Sequence, residues 1–179
     1  MQVLDVGAGD GRLAQALLAH RPDLTLEGVD VLVRPETAIP VRPFDGTHLP
    51  YADQSMDVVL LIDVLHHAED GHALLAECAR VARRAVVVKD HVRTGFLAGP
   101  TLAAMDWVGN ARYGVRLPPS PDAYWTMAQW DAALTRAQLI PKSWRTPLGL
   151  YSPLVAWACE RDLHCLRVLA HETPRDGQP

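Results

Sequence analysis

Apolar and polar residues form alternating blocks near the start of the chain. An apolar run at 3–6 leads into a glycine-rich turn, and residues 12–20 then carry apolar side chains at helical spacing. A second apolar run at 24–29 follows Arg21-Pro22, where the proline disfavours helical geometry in the residue before it. The pattern predicts one β-α-β unit over residues 1–30.

The middle of the chain continues this alternation. Residues 57–62 form an almost entirely apolar run, 70–83 have one apolar helical face, and 85–88 are apolar again. A continuously apolar strand between helices is typical of a parallel sheet that is covered on both faces. We therefore predict an α/β fold with a doubly wound, mostly parallel sheet in three layers.

The last third of the chain predicts a change of strand direction. Thr126 and Gln129 have the spacing of a capping box, which predicts a helix to about residue 139. Strand-like runs at about 142–150 and 153–159 then predict a C-terminal antiparallel hairpin. The irregular, aromatic-rich segment 93–125, with a helix near 100–110, is predicted to be an insertion that shapes a ligand pocket. We assign residues 1–171 to a single domain and expect 172–179 to be a disordered tail.

The composition limits the ligand classes and the cellular compartment expected for this domain. The 179 residues include 17 Lys and Arg against 21 Asp and Glu, a net charge of −4 without a basic cluster, which argues against nucleic-acid binding. The three cysteines lack CxxC spacing and cannot all pair, so we expect a reducing, cytoplasmic setting. Because no apolar stretch approaches the roughly 20 residues of a membrane span, no membrane association is expected.

The strongest chemical signal lies where the first strand meets the first helix, in the sequence DVGAGDG at 5–11. Glycines let the backbone turn sharply and approach a ligand, while a helix N-terminus offers free N–H groups. Asp30 ends the second strand about 20 residues later, where a carboxylate can accept both hydroxyls of a ribose. The combination indicates an adenosine-type ligand, although the glycines alone are also compatible with a packing turn. The spacing is neither GxGxxG nor that of a phosphate loop.

Three further motifs follow the glycine turn in order. The complete set is VLDVGAGDG at 3–11, GVD at 28–30, FDGTHLPYADQSMDVV at 44–59 and DVLHH at 63–67. These motifs resemble those of class I S-adenosylmethionine-dependent methyltransferases, in the small-molecule, type 11-like branch. The resemblance covers residues 3–67 and implies a Rossmann-like fold that binds S-adenosylmethionine and methylates a small molecule.

The resemblance also implies where the cofactor would bind. The methionine end would lie over the glycine turn, supported by Asp5, and the ribose diol would lie on Asp30. Asp45 would accept the adenine amino group, and Asp63 would lie near the methionine ammonium. Taken alone, Asp45 and Asp63 could instead cap turns or helices. The predicted cofactor-binding residues are Asp5, Gly7, Ala8, Gly9, Gly11, Asp30, Phe44, Asp45, Gly46 and Asp63.

A general base is optional, because the sulfonium is already a strong electrophile and the protein must mainly align the reactants. The candidate bases are His91 first and His67 second, both near the carboxyl ends of strands. Asp90 could orient a histidine, but adjacent residues in a strand point in opposite directions, so Asp90 and His91 can both face the pocket only if the strand has ended there. A structural role is the alternative for both histidines. The other histidines show no ligand spacing, so no metal site is expected.

One departure from the family pattern bears on the partners. Family members usually carry a few tens of residues before the first strand, which cover the cofactor, whereas here Met1 almost directly precedes that strand. We therefore expect that an oligomer or a partner chain could supply a lid. The leading hypothesis is methyl transfer to a small-molecule acceptor, and the alternative is a non-catalytic, S-adenosylmethionine-binding partner or regulatory protein. A nicotinamide-dependent oxidoreductase is disfavoured by the glycine spacing.

Overall fold

A computed structural model describes residues 1–110, 123–152 and 162–172 of the chain. A strand precedes and follows each of the first two α-helices, and two strands close the fold. A short 3-10 helix (Leu65–His67) follows the fourth strand. In chain order the main elements are β1 (Gln2–Val6), α1 (Arg12–His20), β2 (Thr25–Asp30), β3 (Val41–Pro43), β4 (Met56–Ile62), α2 (Gly71–Val81), β5 (Ala82–His91), α3 (Ala98–Asn110), α4 (Met127–Arg136), β6 (Leu139–Arg145) and β7 (His164–His171).

These strands form one seven-stranded sheet in the order β3-β2-β1-β4-β5-β7-β6. The first five strands along the chain are parallel to one another. β7 is antiparallel to both β5 and β6. The predicted doubly wound, mostly parallel sheet with a C-terminal antiparallel hairpin is therefore confirmed.

Alternating side chains of β1 pack on opposite faces of the sheet. Val3 packs with Ala14 of α1, whereas Leu4 and Val6 belong to the larger core on the other face. That larger core also contains Leu75 of α2 and residues of α4. Because successive strand side chains point to opposite faces, one apolar run supplies both cores and explains the predicted three layers.

The hairpin uses different residues from those predicted. The expected second strand at 153–159 lies outside the described residues. The strand that pairs with β6 is β7, at His164–His171. The sequence pattern missed β7 because it contains Arg167, whose side chain is fully buried. The guanidinium carbon lies 4.3 Å from the Trp130 ring centre and 3.8 Å from that of Trp144. Stacking between two indoles accommodates a cation in a strand that otherwise packs apolar side chains.

Other local predictions have mixed outcomes. The capping box of α4 is confirmed, since Thr126 accepts from the Gln129 N–H and the Gln129 side chain accepts from the Thr126 N–H. β3 was not predicted, because this short edge strand follows Pro40 and ends at Pro43. A helix near 100–110 is confirmed as α3, while the rest of the predicted insertion at 111–122 and the tail beyond Glu172 lie outside the described residues.

None of the helices within residues 1–110, 123–152 and 162–172 is both long and apolar enough to cross a membrane.

Candidate functional site

The glycine turn lies at the carboxyl edge of the sheet, where the chain order reverses. From β1 the chain runs outward through β2 and β3, and then returns to place β4 on the other side of β1. Ligands of open α/β sheets bind at such a switch point. Gly7, with φ +76°, lies so close to Val64 after β4 that an added Cβ would come within 2.4 Å of a Val64 methyl carbon. The missing side chain therefore allows β1 and β4 to share this edge.

Asp30 fixes the other side of the glycine turn. The Gly9 N–H donates to Asp30 Oδ2 at 2.7 Å, and the Leu32 N–H donates to Oδ1 at 2.8 Å. Val29 O accepts from the backbone N–H groups of Gly7 and Ala8. The end of β2 thus fixes the conformation of the turn, and the half-buried Asp30 carboxylate lies beside Gly9.

Asp5 places a second carboxyl group behind the turn. Its side chain is 3% exposed and receives no hydrogen bond within the described part of the chain. Burial, together with the nearby Asp30 charge, raises the pKa of Asp5 from 3.8 to about 7. A cationic ligand at this edge would favour the ionised form of Asp5.

The predicted adenine-side residues lie next to Asp30. Phe44 N–H donates to Asp30 O at 3.2 Å, and a Cβ on Gly46, whose φ is +88°, would lie 3.2 Å from a Val31 methyl carbon. The exposed Asp45 carboxylate accepts from the Thr47 N–H at 2.7 Å and the His48 N–H at 2.6 Å. These hydrogen bonds hold the pKa of Asp45 well below its usual value. Asp45 therefore shapes its own turn, as the structural alternative proposed, and its contact with adenine stays a prediction.

Asp63 follows β4 and adopts a positive φ of 57°, which is uncommon for a residue other than glycine. Lys89 of β5 donates to both of its carboxylate oxygens, at 2.6 and 2.7 Å. The Asp63 N–H also donates to Lys89 O at 2.8 Å. Lys89 was not singled out in the sequence, although its position opposite Ile62 in the parallel register places it at this edge.

An open cavity of about 910 Å³ adjoins the glycine turn on the side of α1. It meets the predicted cofactor edge at Gly9 and does not include Asp30 or Asp63. Its remaining lining is polar or charged for the most part: Asp10, Arg12, Arg34, Pro35, Glu36, Thr37 and Ala38. The predicted site itself is an open surface edge of the sheet and not an enclosed pocket among the described residues.

A buried cluster of histidines and carboxylates lies beyond Asp63. His66 Nδ1 lies 2.6 Å from Asp90 Oδ1, and His66 Nε2 lies 3.3 Å from Asp106 Oδ2. The contact with Asp90 has hydrogen-bond geometry. His66 Nε2 makes no hydrogen bond with Asp106, although the two atoms are close. The His66 ring is therefore held between a carboxylate of β5 and a carboxylate of α3.

The two carboxylates determine the charge of this ring. Burial lowers the pKa of His66, but Asp90 and Asp106 outweigh burial and raise the pKa from 6.5 to about 10. His66 in turn lowers the pKa of Asp90 against the opposing effect of burial. His66 is thus an imidazolium between two anions.

His91, the first candidate base, belongs to the same cluster. It is 5% exposed, and its Nδ1 lies 3.3 Å from both Asp90 Oδ1 and His66 Nδ1. Asp90 and His91 are the last two residues of β5, and their side chains meet there, as the sequence allowed only for the end of a strand. The His91 N–H also donates to Asp90 Oδ1 at 2.7 Å, so the regular alternation ends here.

The second candidate base, His67, is half-buried beside this cluster, with its ring centre 4.1 Å from that of His66. The sequence interpretation did not identify two neighbours of these histidines. Tyr124 donates to Asp106 Oδ2 at 2.6 Å, and its ring stacks on His66 at 5.6 Å. Asp106 and Tyr124 are far from residues 63–67 in sequence, and neither belongs to a recognisable motif, so only the fold brings them together.

A comparison with known proteins finds matches for the part of the chain that contains the glycine turn. Residues 4–88 match a family described as a methyltransferase domain. A curated relative, methyltransferase GfsG of Streptomyces halstedii, is 37% identical over 95 residues, which cover 46% of this chain and 34% of that protein. The chain thus spans about a third of that relative's length. Residues 4–88 are thus similar to this methyltransferase domain family.

Solved structures are similar in fold to nearly the whole chain. The methyltransferase in complex with the Trm112 methyltransferase activator of Haloferax volcanii has a TM-score of 0.68 and 16% identity, covering 96% of this chain and 83% of that one. An S-adenosylmethionine-dependent methyltransferase of Mesorhizobium loti has a TM-score of 0.67 and 16% identity, covering 95% and 90%. The predicted Rossmann-like fold is confirmed, and the predicted resemblance to methyltransferases is confirmed over residues 4–88. The Mesorhizobium loti neighbour is described as dependent on S-adenosylmethionine, the cofactor that the sequence motifs predict.

The described residues fit this cofactor. A Cβ on Gly9 would meet no atom within 4 Å, so the turn leaves open space beside the Asp30 carboxylate. A carboxylate can accept the ribose hydroxyls there, and Asp5 and Asp30 provide negative charge for a ligand that carries a sulfonium and an ammonium. The individual contacts of the predicted cofactor residues, and the roles of His67 and His91, stay predictions.

Proposed function

We propose that this chain transfers a methyl group from S-adenosylmethionine to a small-molecule acceptor bound at the carboxyl edge of its sheet. The observation that carries the proposal is the 2.7 Å hydrogen bond from Gly9 N–H to Asp30 Oδ2, at the switch point between β1 and β4. This bond holds a glycine turn with free space next to a carboxylate at the position where such folds bind their ligands. The matched methyltransferase domain supports the same reading.

Each part of the edge has a distinct task in this proposal. When bound, the cofactor supplies an electrophilic methyl group on a sulfonium. The glycine turn accommodates its methionine end, Asp30 accepts from the ribose hydroxyls, and Asp45 orients the adenine. Lys89 holds Asp63 in a fixed position near the methionine ammonium. The chain therefore acts mainly by alignment, which lowers the entropic barrier to transfer.

The acceptor would lie on the side of β4 and β5 that α3 covers. His67 is half-buried there, whereas His91 is enclosed by Asp90, His66 and Tyr124. The half-buried ring is therefore closer to solvent than the enclosed one. Because transfer to an already nucleophilic atom needs no base, the proposal does not depend on either histidine.

The first test is binding. Thermal unfolding of the purified chain is measured with S-adenosylhomocysteine, S-adenosylmethionine, NAD or buffer alone. A ligand present at 100 times its Kd adds about 2.7 kcal/mol of stability, so a clear increase in Tm is expected with the first two ligands. Asp30→Ala removes the anchor of Gly9 and should abolish the shift. Asp131→Asn, on the exposed face of α4, removes one carboxylate elsewhere and should keep it.

Turnover separates the proposed enzyme from a binding protein. A mixture of candidate acceptors with labelled S-adenosylmethionine should yield a labelled product that depends on Asp30. Binding without turnover would favour the alternative of a non-catalytic partner, and the complex of a fold neighbour with an activator gives a reason to repeat the assay with a partner chain. A shift with NAD alone would instead support a dinucleotide enzyme. A folded chain that responds to no ligand would contradict the proposal.

A further inference from the structure

The side of His66 that faces α3 presents an unusual contact. His66 Nε2 and Asp106 Oδ2 are 3.3 Å apart, and their side chains are only 2% and 8% exposed. His66 Nε2 makes no hydrogen bond within the described residues. A buried ring nitrogen thus lies against a buried carboxylate without hydrogen-bond geometry, although buried polar atoms usually have a partner.

The distances differ on the two sides of the His66 ring. Two ligands of one tetrahedral zinc ion, each about 2.0–2.2 Å from the metal, lie about 3.4 Å apart. The 2.6 Å between His66 Nδ1 and Asp90 Oδ1 is too short for such a pair and is a hydrogen bond. The 3.3 Å between His66 Nε2 and Asp106 Oδ2 has the spacing of two metal ligands. Only the Nε2 side of the ring therefore has a carboxylate oxygen at the separation expected of two metal ligands.

A third ligand lies beside this pair. Ligand atoms of His66, His67 and Asp106 all lie within 4.8 Å of one another, so a movement of about 1 Å would bring the His67 nitrogen to coordination distance. His91 Nε2 is 4.0 Å from the other oxygen of Asp106 and provides a fourth donor nearby. Imidazole nitrogens with one carboxylate form a donor set that suits divalent zinc, iron, cobalt and nickel.

The surroundings also resemble those of a metal ligand. Asp90 accepts from His66 Nδ1 and is itself fixed by the Leu65 N–H at 3.0 Å and the His91 N–H at 2.7 Å. A carboxylate on the far nitrogen of a ligating histidine orients the ring and fixes its tautomer. Tyr124 holds Asp106 in the same way from the other side. A divalent cation would also place positive charge beside the two buried carboxylates of Asp90 and Asp106.

We propose that His66, His67 and Asp106 bind one divalent transition-metal ion, which fastens α3 to the carboxyl end of β4. The site is separate from the glycine turn and does not depend on the proposed methyl transfer. It assigns to His67 a ligand role in place of the role of general base. The sequence did not predict it, because Asp106 is remote in sequence from the two histidines.

The test uses the full-length chain after treatment with a chelator. Zn²⁺ binding is measured by calorimetry, and Co²⁺ binding by its visible absorption, which reports nitrogen and oxygen ligation. We expect one ion per chain, and slower amide hydrogen exchange in α3 when the ion is bound. No binding of Zn²⁺ or Co²⁺ by the folded wild-type chain would overturn the proposal.

Variants locate the ion. Asp106→Asn and His67→Gln should each weaken Zn²⁺ binding at least 100-fold, and Asp90→Asn should weaken it about 10–100-fold by releasing the His66 ring. His20→Gln, which removes an exposed histidine of α1, should bind as the wild type does. Circular dichroism confirms folding, and the half-buried His67→Gln decides the outcome if Asp106→Asn does not fold. Unchanged binding in folded His67→Gln would place the ion elsewhere and overturn the assignment.

Discussion

The cofactor edge and the buried histidine cluster lie a few residues apart after β4 but are built in different ways. The edge consists of backbone turns, each anchored by one nearby carboxylate, as Asp30 anchors Gly9. The cluster consists of side chains from the 3-10 helix after β4, from β5 and from α3, and these side chains are almost completely buried. The edge is thus held by hydrogen bonds to backbone groups, and the cluster by charges that compensate one another.

This difference has consequences for mutation. Removing one member of a buried charged network leaves another charge without compensation, which costs far more stability than the loss of one exposed contact. Changes at the open edge should instead act on ligand binding, with a smaller effect on the fold. The following variants test that contrast.

Asp90→Ala should have the largest effect on stability. It would leave the His66 imidazolium beside a single carboxylate and would remove the acceptor of the Leu65 and His91 N–H groups. We expect a loss of about 3–5 kcal/mol in the free energy of unfolding, measured with urea in the absence of metal. A loss below about 1 kcal/mol would show that the cluster does not stabilise the fold.

Asp5 provides the pH-dependent test of the edge. The carboxyl group has a pKa of about 7 in the folded chain and an ordinary value of 3.8, so the folded state binds more protons between these values. The contribution of Asp5 to stability should therefore fall as the pH rises from about 4 to 7, by at most about 4 kcal/mol, and then level off. Asp5→Asn should remove this fall, whereas Asp131→Asn on α4 should keep it. Urea unfolding at pH 4.5 and pH 8 measures the difference, and parallel curves for wild type and Asp5→Asn would contradict the prediction.

Gly7→Ala and Gly9→Ala separate packing from ligand space. Both positions have positive φ, which costs an alanine roughly 1–2 kcal/mol. Only the Gly7 substitution adds a clash with Val64, so it should destabilise the chain by about 1–3 kcal/mol more. Gly9→Ala should leave the fold nearly intact but weaken binding of S-adenosylhomocysteine, as calorimetry can show. Equal effects of both variants on stability would contradict the close approach at Gly7.

Asp70→Ala sets a baseline away from both regions. Asp70 Oδ1 accepts from the Ala73 N–H at 2.9 Å at the start of α2. Loss of this cap should lower the free energy of unfolding by about 1 kcal/mol. Neither S-adenosylhomocysteine nor Zn²⁺ affinity should change, and a change in either would show that α2 transmits effects into the two regions.

The sequence predicted the cofactor edge more completely than the cluster. The glycine turn, Asp30 and the strand ends are within one β-α-β unit, where periodicity and turn chemistry act locally. Lys89 was missed because a lysine in an apolar strand gives no local signal for its carboxylate partner. The pairing of Asp90 with His91 depended on where the strand ends, because side chains alternate within a regular strand but not at its last residues.

The amino-acid sequence by itself determined the parallel α/β architecture, the glycine turn and the acid that follows the second strand. These features depend on residues close together in the chain, whose spacing limits the backbone directly. The tertiary structure alone decided that β7 lies between β5 and β6 and that its Arg167 is stacked between two indoles. It also decided that α3 brings Asp106 to His66. Such contacts depend on how whole elements pack. The spacing of side chains along one segment does not indicate which other segment will pack against it.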